Sequence, residues 1–269
     1  MNELIPGVIT ALISAAGALV SVIFSRRAAH GERLEAADQL AMRFREPLLY
    51  AAFNLETRIY NILELDFFGR FLTANNSDQE REYAVCHTLY VFAQYFSWVE
   101  ILRRDSQFID PRNDERNSRY AHALEDVRQA FSDSTTIHDP TFRIFRGEQR
   151  ALGEVMLVPV TDPPPGVPRW ECLGYAPFVQ TLEDPAMARW FLSLQNDIDQ
   201  VAQDLSGHDL RLRLLQNQLM DLIDVIDPDA RRVPPTLRRR CPEPDSHPGI
   251  AGIKAHSSGH QRARDGSGA

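Results

Sequence analysis

The chain has 269 residues, of which 43% are hydrophobic and 25% charged, and its formal net charge is −8. This is the composition of a globular protein that can bury a sizeable core, in one large domain or two small ones. The negative charge argues against a general nucleic-acid-binding protein, so no nucleic acid is expected among its partners. Lys254 is the only lysine, and a coding bias explains the preference for arginine better than phosphate binding does.

The first apolar run, Leu4–Phe24, has the sequence LIPGVITALISAAGALVSVIF and contains no charged residue. As a helix it would span roughly 30 Å, the thickness of the hydrocarbon core of a bilayer. We therefore expect residues 1–24 to form a single transmembrane anchor in the cell membrane. Two alternatives stay open. Ala16-Gly17-Ala18 resembles the cleavage site of a signal peptide, and the polar residues within the run would also suit a buried core helix.

The residues that flank this run predict its orientation. Arg26, Arg27 and Arg33 follow it and no basic side chain precedes it, so the N-terminus is expected outside and the remaining chain in the cytoplasm. The three widely spaced cysteines fit reduced thiols in a reducing compartment. A face of small residues would let the anchor approach another helix and self-associate, although such residues are common in membrane helices: Ser14, Gly17, Ala18 and Ser21.

Beyond the anchor, residues 25–45 predict a helical stalk, and residues 46–230 predict a bundle that is all-α or nearly so. Apolar residues three and four apart mark its helices, whose expected ranges are Pro47–Asp66, Glu80–Asp105, Arg119–Phe131, Glu148–Leu157, Asp184–Gly207 and Asp209–Asp227. The range Glu80–Asp105 is apolar almost all round, which is typical of the central helix of a bundle. The apolar part of this range, Tyr83–Val99, has 17 residues and contains His87, Gln94 and Ser97, so it is too short and too polar to be a second membrane span.

Two further segments do not fit helices. Pro159–Arg169, with the sequence PVTDPPPGVPR, has too many prolines for a helix or a central strand and predicts a surface excursion. The apolar residues after it predict a short strand or hairpin piece at Trp170–Tyr175. From Arg231 onward we expect order to fade, with residues 231–269 forming first a basic and then a disordered tail.

The central helix carries one polar stripe, in which Tyr83, His87, Tyr90 and Gln94 recur four and three residues apart. Phenol, imidazole and amide groups could line a groove for a small polar ligand or a partner. The favoured alternative is a partly exposed helix face, where tyrosine and glutamine are common. His87 has no second histidine or carboxylate at chelating spacing, so no metal site is expected there.

The segment Phe142–Leu157, FRIFRGEQRALGEVML, is dense in arginine and glutamate. Arg143, Arg146 and Arg150 could form an anion clamp, because guanidinium groups bind carboxylates and phosphates with two parallel hydrogen bonds. The favoured alternative is pairing with carboxylates across helices. The candidate partners for such pairs are Glu56, Glu100 and Asp105.

Charged residues also cluster at the end of the bundle. Asp221, Asp224, Asp227 and Asp229 could hold a divalent cation, but neutralisation by the arginines that follow is the simpler account. Those arginines form a basic cluster that could rest on anionic lipid headgroups, and a basic end that stays solvated is an equally good interpretation. The cluster consists of Arg231, Arg232, Arg238, Arg239 and Arg240.

The chain contains no phosphate-binding loop, dinucleotide fingerprint, nucleophile elbow or zinc-protease motif, so neither a cofactor nor a catalytic residue is predicted. Two stretches, YVFAQYFSWVEILRRD (Tyr90–Asp105) and FRIFRGEQRALGE (Phe142–Glu154), resemble a family of uncharacterised bacterial proteins that are membrane-anchored and helical. The resemblance spans roughly Pro47 to Pro228. It implies one coherent domain and transfers no functional site.

The sequence therefore favours a membrane-anchored interaction or regulatory module whose partner surface is the polar stripe or the arginine-rich segment. The alternative is a sensor or enzyme that grips a small anion with the three arginines of that segment and acts on it with Glu100, Glu148 or His87. The two hypotheses differ in geometry. An anion site requires arginines that converge on an open cavity and lack carboxylate partners.

Overall fold

The computed structural model describes residues 43–105, 114–164 and 168–242. Within these ranges the chain is mostly helical, as the apolar periodicity predicts. Leu4–Phe24, most of the predicted stalk and residues 243–269 lie outside the described residues. Among the helices of the described ranges, none combines the length and the apolar character needed to cross a membrane.

The helices and strands follow one another in a simple order. The first described helix, α1, covers residues 43–64. The other elements are α2 (Phe67–Phe71), α3 (Asp78–Asp105), α4 (Asp114–Ser132), α5 (Arg146–Glu154), β1 (Leu157–Pro159), β2 (Trp170–Cys172), α6 (Tyr175–Thr181), α7 (Pro185–Ala188), α8 (Leu192–Gln203) and α9 (Leu210–Ile226). A single 3₁₀ turn, Pro235–Leu237, follows α9 in the described chain.

The central position of α3 is confirmed. This helix contacts α2, α5, α6, α8 and β2, while α4 packs along α9. Phe92 of α3 stacks on Phe142 with 5.4 Å between ring centroids, and Phe96 lies 4.9 Å from the ring of Phe131 at the end of α4. Because these rings are all buried, the aromatic cluster forms the part of the core that joins α3 to α4 and the loop before α5.

Several helix bounds differ from the predicted ones. The helix α1 already includes residues 43–46, so it does not begin at Pro47, and α4 begins at Asp114 rather than at Arg119. The helix expected over Asp184–Gly207 is divided into α7 and α8. Between them the chain forms a turn, and Phe191 at its end packs against Phe178 of α6, with 5.3 Å between the ring centroids.

The predicted strand is present as β2, which pairs antiparallel with β1 in the register Leu157↔Cys172 and Pro159↔Trp170. The proline-rich segment connects the two strands, as expected for a surface excursion. The helix α5 ends at Glu154 rather than at Leu157, because the backbone of Leu157 is used in strand pairing.

The segment after α9 does not lose order at residue 231. Residues 231–242, here called the C-terminal strap, fold back against α9 and bury Val233 and Cys241. The carboxylate of Asp227 accepts hydrogen bonds from three successive backbone N–H groups of the strap, at 2.9–3.0 Å. The predicted boundary at residue 230 is therefore too early, since this carboxylate holds the strap in place. The polar composition of residues 231–242 does not indicate this contact with Asp227.

Candidate functional site

The polar stripe of α3 is packed rather than open. The ring of His87 lies 5.2 Å from that of Tyr83 and 5.6 Å from that of Tyr175, and the ring of Tyr90 lies 5.3 Å from that of Tyr175. The Tyr90 hydroxyl donates to the carbonyl of Leu173 at 3.3 Å. These contacts fill the stripe with side chains from α6 and the turn before it, so it forms an aromatic seam instead of a groove.

Gln94, the fourth residue of the stripe, also forms a hydrogen bond within the protein. Its carbonyl oxygen accepts a hydrogen bond from Asn54 of α1 at 3.2 Å. Of the four stripe residues, only Tyr83 has a large exposed fraction, 43%. The favoured interpretation of the sequence, a partly exposed helix face, therefore agrees with the structure, since Tyr83 is exposed and the three residues that follow it along the stripe are half-buried.

Arg58 of α1 lies at the centre of this seam and was not singled out by its sequence pattern. Its side chain is only 5% exposed, its guanidinium lies 3.9 Å from the ring centroid of Phe67, and its Nη2 donates to Nδ1 of His87 at 2.6 Å. Within the described part of the chain no carboxylate pairs with Arg58, and its Nη1 has no hydrogen-bond partner. Burial lowers the pKa of this guanidinium.

The contact with Arg58 assigns the protonation state of His87. A guanidinium can only donate, so Nδ1 must accept and the imidazole must be neutral with its proton on Nε2. Burial, and then the positive charge of Arg58, lower the pKa of His87 below its ordinary value. A neutral imidazole held in this way is a structural partner of Arg58.

The arginine-rich segment does not form the predicted three-arginine clamp. Arg146 pairs with Glu125 of α4 at 2.9 Å, and Arg150 pairs with Glu154 of α5 at 3.0 Å. Arg143 lines a different cavity from the other two. The three side chains therefore do not meet around one ligand, and two of them already have carboxylate partners.

Arg146 and Arg150 line a cavity of about 440 Å³ between α3, α4 and α5, here called the arginine-rimmed groove. Its floor is mainly apolar and is formed by Tyr95, Phe96, Val99, Leu102, Ala121 and Leu124. Six charged side chains complete the lining and are here called its rim, namely Arg103, Arg128, Arg146, Arg150, Glu100 and Glu125. An apolar floor within a charged rim is the usual arrangement of a site that binds an amphipathic partner.

The charges of the rim, with the neighbouring Arg104 and Glu154, form two ion-pair networks, one between α3 and α5 and one between α4 and α5. Glu100 pairs with Arg103 and Arg104, each at 2.7 Å, and Glu154 pairs with both Arg104 and Arg150. Glu125 likewise joins Arg128 to Arg146. Burial alone would raise the pKa of Glu100, but the hydrogen bonds from Arg103 and Arg104 outweigh it and lower the pKa.

These ion pairs match the predicted pairing across helices but not its predicted partners. Arg146 pairs with Glu125, whereas Glu100 pairs with arginines of its own helix and Glu56 is bound by Gln216 of α9. Counted without Arg103, these ion pairs contain more arginines than glutamates and therefore have an excess of positive charge. The four arginines are Arg104, Arg128, Arg146 and Arg150, and the three glutamates are Glu100, Glu125 and Glu154. The rim of the groove is therefore positive on a chain whose formal net charge is −8.

A scan against protein-family models found no match, and searches of curated proteins and of solved structures found none. The resemblance to a family of uncharacterised bacterial proteins stays a prediction.

A second cavity, of about 380 Å³, contains Arg143. It lies between the start of α5 and the turn that joins α7 to α8, and Arg189, Trp190 and Ser193 form its other polar side. Its apolar side consists of the buried residues Ile144, Leu152 and Leu194. Glu148 also lines the cavity, and its Oε2 accepts the backbone N–H of Phe145 at the start of α5, at 2.8 Å.

The basic cluster of the strap is largely neutralised by carboxylates. Arg238 pairs with Asp224 at 2.6 Å and with Asp227 at 2.8 Å, and Arg240 pairs with Asp221 and Asp224. The other ion pairs are Arg231 with Asp229 and Arg232 with Glu46, while Arg239 lies over the ring of Tyr60. The aspartates at the end of α9 are thus neutralised by arginines, which is the simpler of the two interpretations of their sequence. Four of the five arginines thus have carboxylate partners and Arg239 has none within the described ranges, so lipid binding by this cluster stays a prediction.

The described ranges contain no group of three histidine, cysteine, aspartate or glutamate side chains placed to hold a metal ion. One histidine does combine with a hydroxyl and a carboxylate. Nδ1 of His208 lies 3.1 Å from the hydroxyl of Thr141 and 3.2 Å from the carboxylate of Asp139. Because both partners meet the same ring nitrogen, this group does not form a nucleophile–base–acid relay.

Proposed function

We propose that the protein is a membrane-anchored interaction module, with Leu4–Phe24 as its anchor and its helical domain at the cytoplasmic face. Support for the anchor comes from 21 consecutive uncharged residues, and support for the orientation comes from the arginines that follow them. The small residues of the anchor would in addition permit self-association in the membrane. The role proposed for the domain is recognition rather than catalysis.

The observation that carries this proposal is the arginine-rimmed groove. Its apolar floor would receive large apolar side chains, and the excess positive charge of its rim complements acidic residues. An acidic amphipathic helix of a partner protein satisfies both requirements, because its apolar residues recur on one face and its carboxylates flank that face. We therefore propose such a helix as the occupant.

The rim arginines can change partners at little cost. The side chains of Arg103, Arg146 and Arg150 are 52%, 57% and 56% exposed. Ion pairs at such exposure typically contribute about 0–1 kcal/mol, so a guanidinium loses little when it turns from an internal glutamate to a partner's carboxylate. Burying each apolar side chain of the partner would contribute about 1.5–3 kcal/mol.

Site-specific photo-crosslinking of the full chain in native membranes tests this proposal. A photoreactive residue at the exposed Ala121, on the groove floor, should give one crosslinked partner whose attachment maps to an acidic amphipathic helix. The double variant Arg146→Glu, Arg150→Glu should reduce that product about tenfold, since each change replaces attraction by repulsion.

Arg119→Glu is the matched control, because it reverses a charge at an exposed position of α4 that does not line the groove. It should leave the crosslink unchanged. Absence of a product at Ala121, or equal loss in the control and the double variant, would contradict the groove as the partner surface.

A further inference from the structure

The cavity that contains Arg143 differs from the arginine-rimmed groove in the state of its arginines. Arg143 lies over the ring of Phe145 at 5.4 Å, and Arg189 lies over the ring of Trp190 at 4.7 Å, both measured to the ring centroid. Within the described ranges neither guanidinium has a carboxylate at ion-pair distance. Arg146 and Arg150, only a few residues away, are both paired.

A ring close to a guanidinium leaves the hydrogen-bond donors of the guanidinium available. The π face of the ring attracts the positive charge, but it does not pair with the N–H groups as a carboxylate does. Two such groups in one cavity can each give a bidentate contact to a carboxylate or a phosphate. Because the rings limit their motion, less conformational entropy is lost on binding.

The only carboxylate among the residues that line this cavity, that of Glu148, already has a partner. Its Oε2 accepts the N–H of Phe145, which has no partner within the helix at the start of α5. Among the residues that line the cavity, the two arginines and this glutamate leave one excess positive charge. The opposite wall is apolar and consists of Ile144, Leu152 and Leu194.

We propose that this cavity binds a small organic anion. Arg143 and Arg189 hold its carboxylate or phosphate group, and its apolar or aromatic body packs against the wall of Ile144, Leu152 and Leu194. A volume of about 380 Å³ suits a ligand of this size. The proposal is independent of the partner helix, since the arginine-rimmed groove is formed by different side chains.

Calorimetric titration of the full chain with four probes at low ionic strength tests this proposal. Phenyl phosphate and benzoate should bind, inorganic phosphate should bind about tenfold more weakly because it lacks an apolar body, and neutral phenol should not bind. Equal binding of inorganic and phenyl phosphate would contradict the apolar wall. Absence of binding by both organic anions would overturn the proposal.

Single variants assign the binding to its residues. Arg189→Gln and Arg143→Gln should each weaken phenyl phosphate about tenfold, whereas Arg119→Gln, which removes the same charge from an exposed position on α4, should not. Arg189 is exposed at the end of α7, so its replacement leaves the fold intact even if replacing Arg143 disturbs it. Unchanged affinity in Arg189→Gln would overturn the proposal.

A third variant should strengthen binding. Glu148→Gln removes the negative charge of the cavity, while the glutamine side-chain oxygen can still accept the N–H of Phe145. Its affinity for phenyl phosphate should rise about threefold, and weaker binding would contradict the assigned position of the anion. The variant Arg146→Glu, Arg150→Glu should leave phenyl phosphate binding unchanged, which separates this cavity from the groove.

Discussion

Arg211 of α9 connects the end of α4 to the loop that follows it. Its side chain is 0% exposed and donates to backbone carbonyls at 2.7–3.4 Å. Two of these carbonyls, those of Ala130 and Phe131, lie in the last turn of α4, where the helix dipole favours a cation. The others belong to Asp133, Ile137, Asp139 and Thr141. One guanidinium thus donates to carbonyl groups of two consecutive elements, and among them only the carbonyl of Phe131 is also bound by a backbone N–H of the described chain, that of Ile144.

Replacing Arg211 by Met should lower the free energy of unfolding by about 3–5 kcal/mol, because several buried carbonyls lose their donor at once. Arg211→Lys should also destabilise strongly, since one ammonium cannot reach so widely spaced acceptors. Chemical unfolding of the full chain, followed by circular dichroism, measures both effects. Arg231→Met, at a side chain that is 79% exposed, is the control and should cost less than about 1 kcal/mol. A loss of similar size in all three variants would show that Arg211 has no special role.

At the scale of elements, the contact between α5 and α3 depends on Gly153. A Cβ atom at this position would lie 2.6 Å from the carbonyl oxygen of Phe96 and 3.0 Å from Cβ of Glu100. The sequence suggests only that a glycine weakens α5, since glycine has low helix propensity. In the structure the same glycine allows α5 to lie directly against the backbone of α3. That close contact brings Glu154 within 3.3 Å of Arg104.

Gly153→Ala should destabilise the protein by about 1–3 kcal/mol, because the backbone of α3 cannot move away from the added methyl group without disturbing the core. Gly147→Ala in the same helix is the matched control, since a methyl group added there would have nothing within 4 Å. This control should be neutral or stabilise by about 0.5–1 kcal/mol, because alanine favours the helix. Thermal unfolding of both variants measures the difference. Gly153→Ala at least as stable as Gly147→Ala would contradict the close packing.

At the scale of the whole molecule, Glu56 and Gln216 join the first described helix to the last helix and the strap. Nε2 of Gln216 donates to Glu56 at 2.7 Å and to the carbonyl of Arg239 at 2.6 Å, and its Oε1 accepts the N–H of Cys241 at 2.9 Å. Glu56 is only 2% exposed, and burial raises its pKa to about 7. A carboxyl group at this junction is therefore largely protonated in mildly acidic solution.

This pKa predicts how stability depends on pH. Because the pKa of Glu56 is higher in the folded than in the unfolded chain, its contribution is fully present below pH 4.5 and is lost as the pH rises through about 7. Glu56→Gln removes this dependence. When the pH is raised from 5 to 8, the free energy of unfolding of the variant should therefore rise by about 2–3 kcal/mol relative to that of the original chain. Unfolding curves of both proteins at pH 5 and pH 8 measure this change, and the other titrating groups cancel because both proteins contain them. The same stability difference between the two proteins at pH 5 and at pH 8 would contradict a raised pKa of Glu56.

Local patterns in the sequence determined a large part of the fold. The helical content, the central place of α3 and the excursion at Pro159–Arg169 all follow from apolar periodicity and proline geometry, which act over a few residues. The start of α7 follows from the same kind of rule, because the carboxylate of Asp184 accepts the N–H of Ala186 at 2.9 Å. Each of these features depends on neighbours along the chain.

Only the tertiary structure decided which charged groups meet. Arg211 binds carbonyls 70–81 residues away, and Gln216 reaches Glu56 across 160 residues. The chain offers 29 basic and 37 acidic residues, so residue type and spacing leave very many pairings open. Arg146 became paired while Arg143 did not, although they lie one helical turn apart in sequence. The reason is that helix packing, rather than local spacing, sets which carboxylate lies within reach of each guanidinium.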